Sequence, residues 1–318
     1  MDKEKKKKFR IGLNMALFIV IVVLVVLTVM RLNKWNHSST EVDLSDIEDG
    51  QYDMECLDFY VYPPEDYSDG HVDDGVLDIL VIGDYLMNNY GEEHSILNIL
   101  KENIDANFYD ITAEKEKMTT DYGSNGSGIN AFSLYYLVTA LVEQDFTNQL
   151  LCYPTEPFQT EERYDACIET LTSVDLNDID MVIIMYSLHD YFASAPELFQ
   201  DEDHPFGYHG ALHSSIKMLQ ENYPHLQIVL SSPTPEYLVT DDGIQLGSNT
   251  SFGYGYETVY TTHQYAVATE LCISYIDNYY YKINESNITE YSDGLNLNDK
   301  GIDLIGEHMV HFLETKGN

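Results

Sequence analysis

Between Leu77 and Leu86 the chain reads LDILVIGDYL, a run of strand-forming apolar residues that stops on a Gly-Asp turn. A short apolar run without polar alternation suits a strand buried on both faces, the situation of a parallel sheet covered by helices. Four more runs repeat the pattern: Ala106 to Tyr109, Met181 to Tyr186, Gln227 to Ser231 and Ile273 to Ile276. Between them fall helical spacings at Ile96, Ile99 and Leu100, at Leu134, Leu137, Val138 and Leu141, and at Leu212, Ile216 and Leu219. A last one, Ile302, Ile305, Met309, Phe312 and Leu313, follows Asn298, a residue suited to cap a helix N-terminus. Strands and helices in alternation predict one α/β domain over 77–318, with three layers, a five-stranded parallel sheet and right-handed crossovers, similar to flavodoxin-like folds.

The first residues carry a different signal. Ile11 to Met30 holds no charge and only Asn14 and Thr28 as polar interruptions, long enough to span a bilayer core as one helix. Lys3, Lys5 to Lys8 and Arg10 precede it, while only Arg31 and Lys34 follow closely, so the positive-inside bias predicts a cytoplasmic tail over 1–10 and everything after the span outside. The apolar run exceeds a signal-peptide core and no A-x-A-like site follows, which favours an uncleaved anchor over a cleaved signal. Residues 31–76 are acidic, rich in Ser and Asp, and include Pro63-Pro64, a composition suited to a stalk, in which Phe59-Tyr60-Val61-Tyr62 could pack back as an edge strand.

Charge divides the chain as sharply as hydropathy does. Beyond Lys34 stand eight basic against 52 acidic residues, a formal −44, which repels polyanions and excludes a nucleic-acid partner. Cys56, Cys152, Cys167 and Cys272 are too few to build a disulfide scaffold in a domain of this size, and a Cys152–Cys167 bridge and free buried thiols both remain open.

Three segments carry chemistry in a fixed order. GDYL (83–86) ends the first strand, SLHD (187–190) follows the third, and DGLNLN (293–298) precedes the last helix. In this order and at these places they resemble the GDSL, GxND and DGxHLN blocks of the SGNH (GDSL) hydrolases, a resemblance that covers about Leu77 to Leu313. The resemblance implies the SGNH three-layer fold and a Ser-His-Asp esterase site at the carboxyl ends of the strands. Carried over by position, the nucleophile is Tyr85, the base is Asn296, and Asp293 alone keeps its triad identity. Among the oxyanion donors, His189 replaces asparagine, Ser187 replaces glycine, and Gly126 is the choice for the second-block glycine.

These letters weaken the expected chemistry. An amide at Asn296 cannot take a proton near neutral pH, and the phenol of Tyr85 titrates near 10. The expectation is therefore an outward-facing, membrane-anchored domain without family esterase chemistry, binding a glycan or acylated cell-surface ligand and needing no cofactor. Two alternatives stand beside it: an active enzyme rebuilt around Tyr85, His189 and Asp293, and a non-catalytic scaffold in a membrane assembly. His204, His209 and His213 after Asp201-Glu202-Asp203 offer a metal site, against the commoner reading of surface and interhelical histidines, and His308 and His311 offer a weaker one. The 26 tyrosines, Tyr254, Tyr256 and Tyr279 to Tyr281 among them, suit core packing and, at the loop, stacking on sugars.

Overall fold

The five apolar runs form strands within a residue or two of their expected bounds, β1 Leu77–Gly83, β2 Ala106–Asp110, β3 Met181–Met185, β4 Gln227–Ser231 and β7 Ser274–Ile276, and two further strands, β5 Tyr237–Thr240 and β6 Gly243–Leu246, stand between the last two. The computed structural model describes residues 56–63, 71, 74–114, 116–120, 130–152, 157–241 and 243–316. The apolar segment Ile11 to Met30 and Gly126 lie outside the described residues, and among those described no helix is long and apolar enough to cross a membrane.

β1, β2, β3, β4 and β7 make one sheet in the order β2-β1-β3-β4-β7, with every pairing parallel. Parallel neighbours need long crossovers, and helices supply them: α1 Tyr85–Asn88, α2 Ile96–Asn103, α3 Leu134–Glu143, α4 Glu161–Ser173, α5 Tyr208–Asn222, α6 Glu257–Glu270 and α7 Asp299–Lys316. Along β1 the side chains alternate. Leu80 and Ile82 join Val182, Ile184, Leu137, Leu171 and Leu212 on one face, while Ile79 and Val81 join Ile183, Leu100, Ile305 and Met309 on the other. Two buried clusters on opposite faces of one sheet make the three α/β/α layers. The antiparallel hairpin β5-β6 lies outside the sequence expectation, because Val239 and Ile244 are exposed and carry no buried pattern to read.

Residues 56–63 pack with the domain well before Leu77, so part of the stretch read as stalk over 31–76 belongs to it. Phe59 N donates to the Tyr275 carbonyl at 3.1 Å and Tyr275 N to that of Phe59 at 2.9 Å, which lays residues 56–63 antiparallel along the outer edge of β7. Asn298 accepts from Gly301 N at 3.2 Å and so caps α7, as its position suggests. Among the described residues none of the four cysteines is in a disulfide.

Candidate functional site

The turn after β1 is fixed by close approach of backbones. A Cβ on Gly83 would stand 2.1 Å from the Met185 carbonyl oxygen of β3, so only glycine fits there. Asp84 then caps α1, its Oδ1 accepting from Leu86 N at 3.0 Å. The same carboxylate accepts Ser187 N on both oxygens, at 3.1 and 3.0 Å, and the Ser187 hydroxyl at 2.5 Å. Fully buried, this group ties the loop after β1 to the loop after β3. Burial raises its pKa to about 6, against the pull of His189 and of the hydrogen bonds from Ser187 and Leu86.

Tyr85 is 3% exposed, and its hydroxyl donates to the Leu295 carbonyl at 2.9 Å. Its ring stacks on Tyr90 with centroids 4.9 Å apart and planes 5° from parallel, and meets His189 at 5.0 Å. Burial, then the nearby Glu236 and Asp84, hold the phenol well above its ordinary range, so the phenolate needed for attack is suppressed. Tyr90 reaches this stack from a left-handed backbone, φ 57°, directly after Asn89 at φ 46°. Two successive non-glycine residues in that region are uncommon and store strain. The Tyr90 hydroxyl donates to Asn296 Oδ1 at 3.0 Å.

Tyr85, Tyr90, His189 and Asn296 thus share the carboxyl edge of the sheet. Asp293 does not join them through its side chain. It is exposed, and its link to Asn296 is main-chain, Asp293 N to the Asn296 carbonyl at 2.8 Å, within a turn that Ser292 Oγ closes by donating toward the carbonyls of Gly294 and Asn296. His189 Nδ1 lies 3.2 Å from the Glu116 carbonyl. A carbonyl only accepts, so Nδ1 carries the proton and the one N–H of the neutral ring is already used. The N–H with which a neutral His189 could stand in for the asparagine donor of the resemblance is therefore committed to the Glu116 carbonyl.

Sequence reasoning passed over two buried acids at this edge. Glu236 leaves the loop after β4, 2% exposed, and its Oε1 accepts from Leu188 N at 3.2 Å. Glu257 on α6 is fully buried and accepts from Glu236 N at 3.2 Å and from the Tyr279 hydroxyl at 2.9 Å. Burial pushes the Glu257 carboxyl up to about 8, and burial with Glu257 beside it holds Glu236 well above its usual range. Position just past a buried strand was the available signal for Glu236, whereas Glu257 offered none.

The histidines of the α5 region do not converge into a metal-holding group among the described residues. His204 Nδ1 accepts from Phe206 N at 3.3 Å, His213 Nδ1 pairs with Asp203 at 2.6 Å, and His209 Nδ1 faces His263 Nδ1 at 3.3 Å.

No family model matches the sequence, and neither does any curated protein. Solved structures do match. One crystal structure is 13% identical with a TM-score of 0.55, covering 76% of this chain and 97% of its own. A protein from Lactobacillus plantarum is 15% identical with a TM-score of 0.51, covering 77% of this chain and 99% of its own. A protein from Bacteroides ovatus described as GDSL-like is 12% identical with a TM-score of 0.47, covering 76% of this chain and 100% of its own. The parallel order β2-β1-β3-β4-β7 places GDYL and SLHD at adjacent strand ends, with DGLNLN against them before α7. The chain shares the three-layer α/β fold of the first two of these structures.

Proposed function

We propose that the domain is a non-hydrolytic SGNH-fold protein, held on the outer side of a membrane by Ile11 to Met30, that binds a glycan or acylated cell-surface ligand at the carboxyl edge of its sheet. One observation carries this reading: a buried Tyr85 fills the nucleophile position, with its hydroxyl committed to the Leu295 carbonyl. A nucleophile must reach solvent-borne substrate and lose its proton to a base, and neither condition is met at Tyr85. The rebuilt-enzyme alternative loses support, since Asp293 is exposed and does not orient a base. Retention of a ligand-facing edge is supported by the half-buried Tyr90, whose ring is held by the stack on Tyr85 and by its hydrogen bond to Asn296 while part of it stays open to solvent. The charge asymmetry around the apolar segment supports the membrane topology.

The test is aryl-acetate hydrolysis together with thermal shifts in O-acetylated and plain glycans, on the full chain. The expected result is no hydrolysis above buffer and a rise in Tm with glycan that Tyr90→Ala abolishes. Tyr85→Ser with Asn296→His should gain hydrolysis that neither change gives alone. Esterase activity in the unaltered protein, lost on Tyr85→Phe, would overturn the loss of chemistry. A folded protein that no glycan shifts would overturn the binding role in favour of a scaffold.

A further inference from the structure

Away from that edge, the segment 56–63 meets α7 at a second constellation. Cys56 Sγ, an Asp58 carboxylate oxygen and an imidazole nitrogen of His308 all lie within 4.8 Å of one another. His308 is 4% exposed and its ring lies flat on Tyr281, with centroids 3.6 Å apart and planes 4° from parallel. Its Nδ1 stands 2.8 Å from Asn278 Oδ1, and its Nε2 stands 2.8 Å from Asp58 Oδ2.

The hydrogen-bond chain behind the ring assigns its protons. Ser231 Oγ donates to the Ser232 carbonyl at 3.4 Å and so accepts from Asn278 Nδ2 at 2.8 Å. That turns Asn278 Oδ1 toward the ring, and Nδ1 must carry the hydrogen it accepts. Nε2 therefore faces Asp58, and a bare lone pair against a carboxylate oxygen is repulsive. Positive charge belongs there, a second ring proton at the 2.8 Å separation or, once the two atoms part slightly, a metal ion bound to both.

We propose that Cys56, Asp58 and His308 form a binding site for one divalent ion of the zinc class, which clasps residues 56–63 to α7. Thiolate, imidazole and carboxylate together match zinc rather than calcium or magnesium, which take oxygen ligands. Two anionic ligands and one neutral ligand balance a dication. The Asn278 contact to Nδ1 is the outer support that a metal-binding histidine ordinarily has. Cys56 Sγ now donates to the Asp277 carbonyl at 3.3 Å, and burial with Asp58 beside it pushes the thiol up to about 12. Coordination replaces that proton with the metal, and the proton leaves to solvent. Four ligands complete a tetrahedron, and since no fourth side chain joins these three among the described residues, we assign the fourth position to water.

The full chain, stripped with chelator and kept reduced, is titrated with Co2+ as a spectroscopic probe and then with competing Zn2+. One Co2+ per chain with a thiolate-to-metal charge-transfer band, displaced by Zn2+, is the expected result. Cys56→Ser should remove that band, whereas Cys152→Ser, Cys167→Ser and Cys272→Ser should leave it. Asn278→Ala should keep the band and weaken Zn2+ binding by about tenfold or more. Because His308 is buried and its replacement could unfold α7, Asp58→Asn on the exposed side of the site is the second ligand variant, expected to weaken Zn2+ binding with the circular dichroism unchanged. No charge-transfer band in the folded protein, or a band that survives Cys56→Ser, would overturn the proposal.

Discussion

Two aspartates mark the two halves of the site, and they live in opposite surroundings. Asp84 is fully buried and satisfies the backbone of two loops, whereas Asp293 is exposed and touches its own turn only through the main chain. The acid at the strand end serves the fold. The acid to which the resemblance assigns the orienting of a base meets Asn296 through its main chain alone. A residue's identity within a motif thus says little about its role until its partners are known.

The largest contrast should appear in stability. Asp84→Ala orphans the N–H groups of Leu86 and Ser187 and the Ser187 hydroxyl, and should cost about 3 kcal/mol in denaturant unfolding, since buried donors to a charged acceptor are lost together. An Asp84→Ala domain as stable as the parent would break the division between the two halves.

A smaller effect should come from Glu257. Its folded pKa is raised from 4.5 to about 8, so its contribution to stability is complete below about 4.5 and is lost as pH rises through about 8. Glu257→Gln should leave Tm unchanged at the acid end of that window and raise it at the alkaline end, flattening the decline seen in the parent. Parallel Tm-versus-pH curves for the two proteins would show that Glu257 titrates alike folded and unfolded, so that burial does not raise its pKa.

The smallest effect is assigned to Asp293. Asp293→Ala should shift stability by no more than about 0.5 kcal/mol, as for surface positions without special contacts, and should not alter ligand-induced thermal shifts. A loss beyond that, or loss of glycan response, would give the carboxylate a partner and make the two halves alike.

The parallel sheet was legible because its inner strands are buried on both faces and so write continuous apolar runs, as in Leu77–Gly83 and Met181–Met185. The order of the three blocks was legible because turns at strand ends need particular residues, Gly83 above all. The hairpin β5-β6 was not, because exposed strands carry no such run. Neither was the attachment of residues 56–63, where one backbone bridge to β7 and a few side chains supply what composition reads as linker.

By itself the sequence determined an α/β domain with parallel strands, an acidic surface, an apolar segment near its start, and three ordered blocks that resemble those of the SGNH hydrolases. These follow from local pattern, charge and order along the chain, none of which needs a partner to be read. Tertiary structure alone decided that Tyr85 is stacked and sealed, that His189 has spent its N–H on Glu116, that Asp293 stands apart, and that Cys56 meets His308 across 252 positions. Proton positions, burial and ligand geometry depend on which atoms come within about 3 Å of each other, and residues distant in sequence reach that range only when the chain has folded.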